Sequence, residues 1–167
     1  MDVADAIANR RSVRQYAETQ VPNEHLQALF EALQLAASAN NQQNWEFVFA
    51  GDPELKRKLV SDCMRQRFVA ECSYFIAGVV DPNLKWHMVD ITIAFTNFTL
   101  QAVELGYGTC WIGAFDESKV KHRLEIPMEK KIVACMAFGK PKGRILYKRR
   151  KPVEGFIYLD RYGRSWG

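Results

Sequence analysis

Residues 105–115 read LGYGTCWIGAF, and they follow the longest apolar stretch of the chain, residues 86–105. Apolar side chains on most sides of that stretch predict a long helix in the middle of the fold. Gly106 and Gly108 would end this helix, and the side chains at 109–112 predict a short strand. Because this strand follows a central helix and strands do not alternate strictly with helices, we expect an α+β layer fold, not a doubly wound parallel sheet.

Hydrophobic periodicity outside this stretch predicts a mixed set of elements, and we expect a single domain spanning residues 1–167. Further helices are expected over 3–9, 53–64 and 117–124, and strands over 45–50, 74–80 and 132–138. Another helix would begin at Pro22 with Asn23 as its N-cap. Its core face would be formed by apolar residues at helical spacing: Leu26, Leu29, Phe30, Leu33 and Ala37.

The predicted central helix leaves two interpretations of its large side chains open. Trp86, Phe95 and Phe98 exceed what one small sheet needs to cover, so they either fill the internal core or contact a second subunit. Four polar residues argue against a membrane span: Asp90, Asn97, Gln101 and Glu104. Residues 1–11 lack the pattern of a secretory signal. We therefore expect a cytoplasmic protein without a membrane partner.

The net charge of +4 is unevenly distributed along the chain. Residues 1–139 contain 14 basic and 17 acidic side chains, whereas residues 140–167 contain 9 and 2. The run KPKGRILYKRRK at 140–151 has seven basic residues and no acid. Such a run is most often solvated surface, and it also suits contact with phosphate or nucleic acid.

The four cysteines show no CxxC spacing and lie in apolar or mixed surroundings: Cys63, Cys72, Cys110 and Cys135. This pattern favours buried, reduced thiols over disulfides or metal ligands. The three histidines (His25, His87 and His122) are far apart in sequence, so no metal site is expected.

Several common catalytic motifs are missing from the sequence. It contains no GxxxxGK[ST], GxSxG or HExxH pattern, which removes the usual support for a nucleotide hydrolase, an α/β-hydrolase or a zinc protease. Residues 106–108 (GYG) begin like a dinucleotide-binding fingerprint, but they end a predicted helix instead of following a strand. A Rossmann-type site is therefore not expected.

Two polar segments carry the residue types that a phosphate or a heterocycle would need. Residues 10–14 (RRSVR) place three guanidiniums and a hydroxyl at a helix end, and arginine forms bidentate hydrogen bonds with phosphate. Residues 38–44 (SANNQQN) offer neutral donors and acceptors just before an aromatic strand. Taken alone, the first segment also suits a solvated helix end and the second a capped turn.

The order of these segments along the chain is more specific than either one. RRSVR at 10–14, SANNQQNWEF at 38–47, LGYGTCWIGAF at 105–115, FGKP at 138–141 and RKPVE at 150–154 follow one another. This series of blocks resembles the nitroreductase family of FMN enzymes over nearly the whole chain, from Ala6 to Glu154. The resemblance implies a sandwich with a central mixed or antiparallel sheet flanked by helices, and a homodimer whose interface includes the long central helix.

The resemblance also implies the residues that hold the cofactor. The ribityl phosphate and the pyrimidine side of FMN would be bound by Arg10, Arg11, Ser12 and Arg14, with Arg150 and Lys148 as C-terminal phosphate ligands. The segment that reaches the flavin across the dimer interface would comprise Ser38, Ala39, Asn41 and Gln43. The backbone of Trp111, Ile112 and Gly113 would lie against the isoalloxazine near N5.

By the same resemblance, NADH or NADPH would donate hydride to flavin N5, and the electrons would pass to a small conjugated acceptor such as a nitroaromatic or a quinone. Both substrates would use one pocket in turn, which implies ping-pong kinetics and no catalytic side chain. Three alternatives stay open: another reaction on the same scaffold, such as dehalogenation or dehydrogenation; a flavin carrier or sensor; and nucleic-acid binding by the basic run, which the motif order disfavours.

Two departures from the family pattern bear on the site. Asn44 stands where the family often has proline, so we expect a looser turn there. The segment 80–90 is short, and the extended helical lid of larger members is expected to be missing. Residues 65–68 fall where the family usually contacts the flavin ring, but their match is too loose to assign.

Overall fold

The computed structural model describes residues 1–143 and 149–166 of the chain. Lys148 of the predicted phosphate site lies outside them. Within the described residues the helices are α1 (Val3–Asn9), α2 (Asn23–Gln34), α3 (Pro53–Asp62), α4 (Phe68–Glu71), α5 (His87–Glu104) and α6 (Glu117–Leu124). The strands are β1 (Tyr16–Ala17), β2 (Glu46–Ala50), β3 (Tyr74–Val80), β4 (Gly108–Ile112) and β5 (Lys131–Pro141), and two 3-10 turns occupy Ala39–Asn41 and Val153–Gly155.

The strands form one antiparallel sheet with β5 at its centre. On one side β5 pairs with β3, and β2 pairs with the far edge of β3. On its other side β5 pairs first with β4 and then, near its end, with β1. A single parallel bridge joins Ser12 to Thr109 at the outer edge of β4. The sheet therefore connects the N-terminal basic segment directly to the strand that follows the central helix.

The two faces of the sheet bury separate apolar clusters. Successive side chains of β3 point to opposite faces, so Phe75 and Ala77 pack with α3, α4 and α6, while Ile76 packs with α2 and α5. Gly78 lies under α5, where an added Cβ would stand 2.6 Å from the ring of Phe95. The missing side chain at Gly78 is what lets the central helix lie this close to the sheet.

The expected α+β sandwich is confirmed, and most predicted elements have the right type and place. β5 extends beyond the predicted strand at both ends, and β1 and α4 were not predicted because each is too short to show a period. Three predictions for α2 are wrong. Asn23 does not cap the helix with its side chain. Phe30 is 41% exposed because the buried stripe runs through Leu29 and Leu33 instead, and Ala37 is exposed because it lies beyond the end of α2 at Gln34.

The large side chains of α5 divide between core and surface. Phe95 and Phe98 are fully buried within the chain, which decides for the internal-core interpretation at these two positions. Trp86, Met88 and Val89, at the beginning of the helix, are each about half exposed. Among the described residues, no helix is both long and apolar enough to cross a membrane.

All four cysteines are free and buried, as predicted. Burial raises the pKa of Cys63 to about 12 and that of Cys72 to about 11, and it also raises the pKa of Cys110 and Cys135. Since the thiolate is the nucleophilic form, these thiols are inert near neutral pH.

A partly buried ion cluster fastens α6 to β5. The Glu117 carboxylate accepts hydrogen bonds from Lys131 Nζ at 2.7 Å and from the Ile132 N–H at 3.0 Å, and it lies 3.0 Å from Lys121 Nζ. Burial alone would raise the pKa of Glu117, but these donors outweigh it and lower the pKa to about 2. The cluster therefore favours the ionised carboxylate in the folded state.

We expect Glu117 to make the protein acid-labile. Its pKa is lower in the folded chain than its ordinary value of 4.5, so its contribution is fully present above that value and is lost as the pH falls towards about 2. The loss should be on the order of 2 kcal/mol of unfolding free energy, allowing for partial exposure. Urea denaturation between pH 2 and pH 6 checks this. Glu117→Gln should flatten the profile, and an unchanged slope in that variant would contradict the assignment.

Candidate cofactor site

The basic segment 10–14 is attached to the edge of the sheet by its apolar members. The Val13 N–H donates to the Thr109 carbonyl at 2.9 Å, and the Tyr16 hydroxyl donates to the Val13 carbonyl at 2.7 Å. Val13 and Tyr16 are buried, whereas Ser12, just before Val13, and Arg14, between the two, are exposed. The apolar anchors thus hold the polar side chains of the segment at the surface.

Three guanidiniums of the predicted phosphate site are neighbours in the structure. Partial burial lowers the pKa of Arg10, and the positive charges of Arg150 and Arg11 lower it further. Arg11 folds back on the end of α1, where it donates to the carbonyl of Ala8 at 2.6 Å. The charge of Arg150 acts on Arg10 although the two residues are 140 positions apart in the sequence. Several positive charges acting on one another favour binding of an anion.

The polar loop 38–44 has an unusual backbone. Asn40, Asn41 and Gln43 adopt left-handed conformations, with φ of 52°, 55° and 51°. Each such residue costs about 1 kcal/mol or more, although asparagine tolerates the conformation best. The Gln43 N–H donates to Ser38 Oγ at 2.9 Å and so closes the loop on itself. Residues 40–43 are exposed, so this shape is not required by packing within the chain.

Two side chains tie the polar loop to the rest of the fold. The Ala39 N–H donates to Oδ1 of buried Asp90 at 3.0 Å. Asn44 forms a reciprocal pair with the backbone of Asp81: its amide donates at 3.2 Å and its Oδ1 accepts at 3.1 Å. These two hydrogen bonds restrain the backbone at Asn44, where the family often has proline, and the looser turn expected there stays a prediction.

The end of β4 presents an open backbone edge. Ile112 is buried, and Trp111 packs edge-on against Phe95 with ring centroids 5.3 Å apart. Gly113 is exposed, and an added Cβ there would meet no atom within 4 Å. A flat group can approach the backbone at Gly113 without a side chain in the way.

A second strained turn flanks this edge. Met64 and Arg65 have φ of 49° and 60°, and Gln66 Nε2 donates to the Ala114 carbonyl at 3.1 Å. The Asp116 N–H donates to the Asp62 carbonyl at 2.8 Å, which fixes the same two segments at a second point. The turn falls at the 65–68 stretch that the resemblance could not assign.

The three predicted groups are held by different elements of the fold. The polar loop is tied to Asp90 in the first turn, while the terminal amine ahead of α1 pairs with Glu104 in the last turn at 2.9 Å. These two anchors are fourteen residues apart, a rise of about 21 Å along the helix. The basic segment and Gly113 are joined instead through β4.

Comparison with known proteins decides the family. The family model described as "Putative TM nitroreductase" matches residues 2–166. The chain belongs to the nitroreductase family. Its fold agrees with that of a nitroreductase family protein from Clostridium novyi NT, with a TM-score of 0.81 and 26% identity over 99% of this chain and 97% of that one.

Relatives within the nitroreductase family carry informative names. A protein of Archaeoglobus fulgidus named "Putative NADH dehydrogenase/NAD(P)H nitroreductase" is 28% identical over 145 residues, which cover 81% of this chain and 83% of the relative. The "FMN reductase (NADPH)" of Bacillus subtilis is 24% identical over 182 residues, which cover 95% and 73%. The family resemblance expected from the order of the motifs is thereby confirmed.

Asp90 and Gln66 were not among the predicted site residues of this member of the nitroreductase family. Asp90 left a signal in the sequence, because an acid in the first turn of an otherwise apolar helix needs a partner when it is buried. Gln66 left none, since only the folded chain shows that its side chain reaches Ala114.

Proposed function

We propose that this protein is an FMN-dependent oxidoreductase that passes hydride from NADH or NADPH through flavin N5 to a small conjugated acceptor, such as a nitroaromatic or a quinone. The observation that carries the proposal is that Arg11 and Arg150 lie near enough to Arg10 for their positive charges to lower its pKa, in addition to the effect of partial burial, which suits the binding of a phosphate. Membership of the nitroreductase family and the relative named FMN reductase support the same cofactor.

The residues present fit FMN at both of its ends. Arg10 and Arg11, with exposed Ser12 and Arg14, would hold the ribityl phosphate and the pyrimidine side. Arg150 would bind the phosphate from the C-terminal part of the chain, and Lys148 would assist it. The open backbone at Trp111, Ile112 and Gly113 would receive the ring, and no side chain would have to move at Gly113. When bound, FMN supplies the redox chemistry by accepting hydride at N5 and passing electrons on.

The chain itself contributes binding, orientation and charge. Positive charge from the arginine cluster would offset the charge of the phosphate, and the backbone near Gly113 would orient the ring for its substrates. No nucleophile is required, which agrees with four cysteines whose raised pKa keeps them protonated. Free thiols also suit a reducing compartment, so we propose that the enzyme works in the cytoplasm. We further propose that residues 1–167 form one FMN-binding domain.

We also infer that the working unit is a homodimer. The polar loop is tied to the first turn of α5, far from the α1 anchor at the last turn. A second copy of the chain would bring its own Ser38, Ala39, Asn41 and Gln43 to a flavin held by the first. Exposed apolar side chains near the loop support burial against such a copy: Trp86, Met88 and Val89.

The oligomeric state is directly measurable. Analytical ultracentrifugation at micromolar concentration should give a species of about twice the 19.2 kDa of one chain. A single 19.2 kDa species for the flavin-loaded protein would overturn the homodimer.

The visible spectrum tests the function as a whole. Purified protein, or protein incubated with FMN, should show a flavin absorption band that bleaches on anaerobic addition of NADH or NADPH and returns with a quinone. Initial rates at several acceptor concentrations should give parallel double-reciprocal lines, as ping-pong kinetics require. Intersecting lines would replace this mechanism with a ternary complex. Colourless protein that does not take up FMN would overturn the proposed function.

The same experiment distinguishes the other candidates. A flavin band that nicotinamide reduces only very slowly would favour a carrier or sensor. Rapid reduction without turnover of any quinone or nitroaromatic would favour a different reaction on the same scaffold. Salt-dependent binding to DNA or RNA by a protein without a chromophore would favour the nucleic-acid alternative, which the proposed function does not include.

A further inference from the structure

Asp90 is a buried acid, and among the described residues its side chain accepts a hydrogen bond from the polar loop. Its residue is 2% exposed, it stands in the first turn of α5, and its Oδ1 accepts the Ala39 N–H at 3.0 Å. Within residues 1–143 and 149–166, no basic side chain forms an ion pair with it. A buried carboxylate without a cation is unfavourable, so the hydrogen bonds that it accepts become important for its stability.

The hydrogen bond to Asp90 restrains a backbone that would otherwise relax. Ala39 is followed at once by two left-handed asparagines, and Gln43 is left-handed as well. The side chains of residues 40–43 are exposed, so they make little packing contact that could hold this shape. The loop is therefore fixed at its base by Asp90 and closed by the Ser38–Gln43 hydrogen bond, with its polar side chains directed away from the core.

We propose that Asp90 is a positioning residue that holds the polar loop in the shape needed to bind the flavin of the partner subunit. This inference rests on the proposed function. The Asp90 carboxylate touches neither cofactor nor substrate: it acts through Ala39, and it couples the first turn of α5 to the cofactor site of the other chain. The loop side chains that would contact the flavin are then ordered before FMN arrives, which lowers the entropy cost of binding.

Point variants separate positioning from stability. Asp90→Ala should raise the dissociation constant for FMN about tenfold, which corresponds to about 1.4 kcal/mol. Asp90→Asn keeps an oxygen that can accept the Ala39 N–H, so it should restore most of the affinity. Asp52→Ala is the matched control, because Asp52 also accepts one backbone N–H, from Leu55 at 2.7 Å, at the beginning of α3. That control should leave FMN affinity unchanged.

Flavin fluorescence titration of all four proteins, together with the thermal midpoint of each apo form, gives the readout. Weaker FMN binding in Asp90→Ala, rescue in Asp90→Asn and an unchanged Asp52→Ala would support positioning. Equal FMN affinity in wild-type and Asp90→Ala would overturn it. A loss in Asp90→Ala that Asp90→Asn does not rescue, and that follows the thermal midpoint, would also overturn it. Wild-type protein that fails to bind FMN would instead overturn the proposed function.

Mixed dimers test whether the loop serves the partner subunit. A dimer of one Asp90→Ala chain and one Arg10→Ala/Arg150→Ala chain has one site with both defects and one site with none, if the loop crosses between subunits. Differently tagged chains, co-expressed and purified as the mixed dimer, should therefore bind one FMN per two chains with wild-type affinity. If the loop serves its own chain, each site carries one defect, and tight binding at neither site would overturn the cross-subunit assignment.

Discussion

Replacing Arg10 and Arg150 together with alanine is expected to weaken FMN binding by about a hundredfold to ten-thousandfold, since each charge-assisted hydrogen bond to phosphate contributes about 1.5–3 kcal/mol. Partial burial and the positive charges of Arg150 and Arg11 lower the pKa of Arg10, and a bound phosphate would offset this repulsion. Fluorescence titration with FMN measures the loss. Riboflavin, which lacks the phosphate, should bind both proteins with similar affinity.

The same replacement should have the opposite effect on the empty protein. A cation whose pKa is lowered by folding is less favourable in the folded chain than in water, so its removal should leave the apo protein at least as stable as wild type. Arg10→Lys/Arg150→Lys keeps the charge but loses bidentate geometry, and should show an intermediate affinity. Arg57→Ala, which removes an exposed arginine paired with Glu54, is the control. Unchanged FMN affinity in the double alanine variant would contradict the phosphate assignment.

Gly78→Ala is expected to destabilise the protein by about 2 kcal/mol, as overpacking in a full core usually does. The new methyl group would stand 2.6 Å from Cε2 and 2.9 Å from Cζ of Phe95. The ring cannot swing aside freely, because Phe47 and Trp111 each lie against it with centroids 5.3 Å away. Urea denaturation of the apo protein measures the change in unfolding free energy.

A smaller side chain at position 95 should relieve this overlap. Phe95→Leu alone removes packing and should destabilise the protein. The double variant with Gly78→Ala should lose about 1 kcal/mol less unfolding free energy than the sum of the two single losses. Because Trp111 precedes Gly113, Gly78→Ala should also weaken FMN binding, and the double variant should recover part of it. Strict additivity would show that Phe95 and Gly78 do not share the space that the distances indicate.

The long elements of this fold could be predicted because their periodicity is strong. The apolar pattern extends over several repeats in helix α5, in strand β3 and in the surface helix α6. The face of α2 was partly wrong for a physical reason. Phe30 is apolar and at the right spacing, but it packs edge-on against Phe49 at the margin of the sheet and stays partly exposed.

The candidate site residues were assigned only through the order of the motifs, and their roles stay predictions. No local pattern indicates that the charge of Arg150 acts on Arg10, because the two residues are 140 positions apart in the sequence. The left-handed residues of the polar loop leave no signature beyond asparagine content. Asp90 was noticed only as a polar residue in an apolar helix, and its role depends on where the loop folds back.

The buried cysteines make the native protein unreactive towards maleimide and methanethiosulfonate reagents at neutral pH. A single cysteine introduced at exposed Gln42 or Ala8 would therefore be the one site that takes a spin label. In the proposed homodimer, pulsed electron resonance between two such labels would then measure the distance between the two equivalent positions, with no prior removal of native thiols. With FMN bound as proposed, the same inertness would protect the thiols from peroxide that a reduced flavin generates in air, so loss of turnover over time would not report thiol damage.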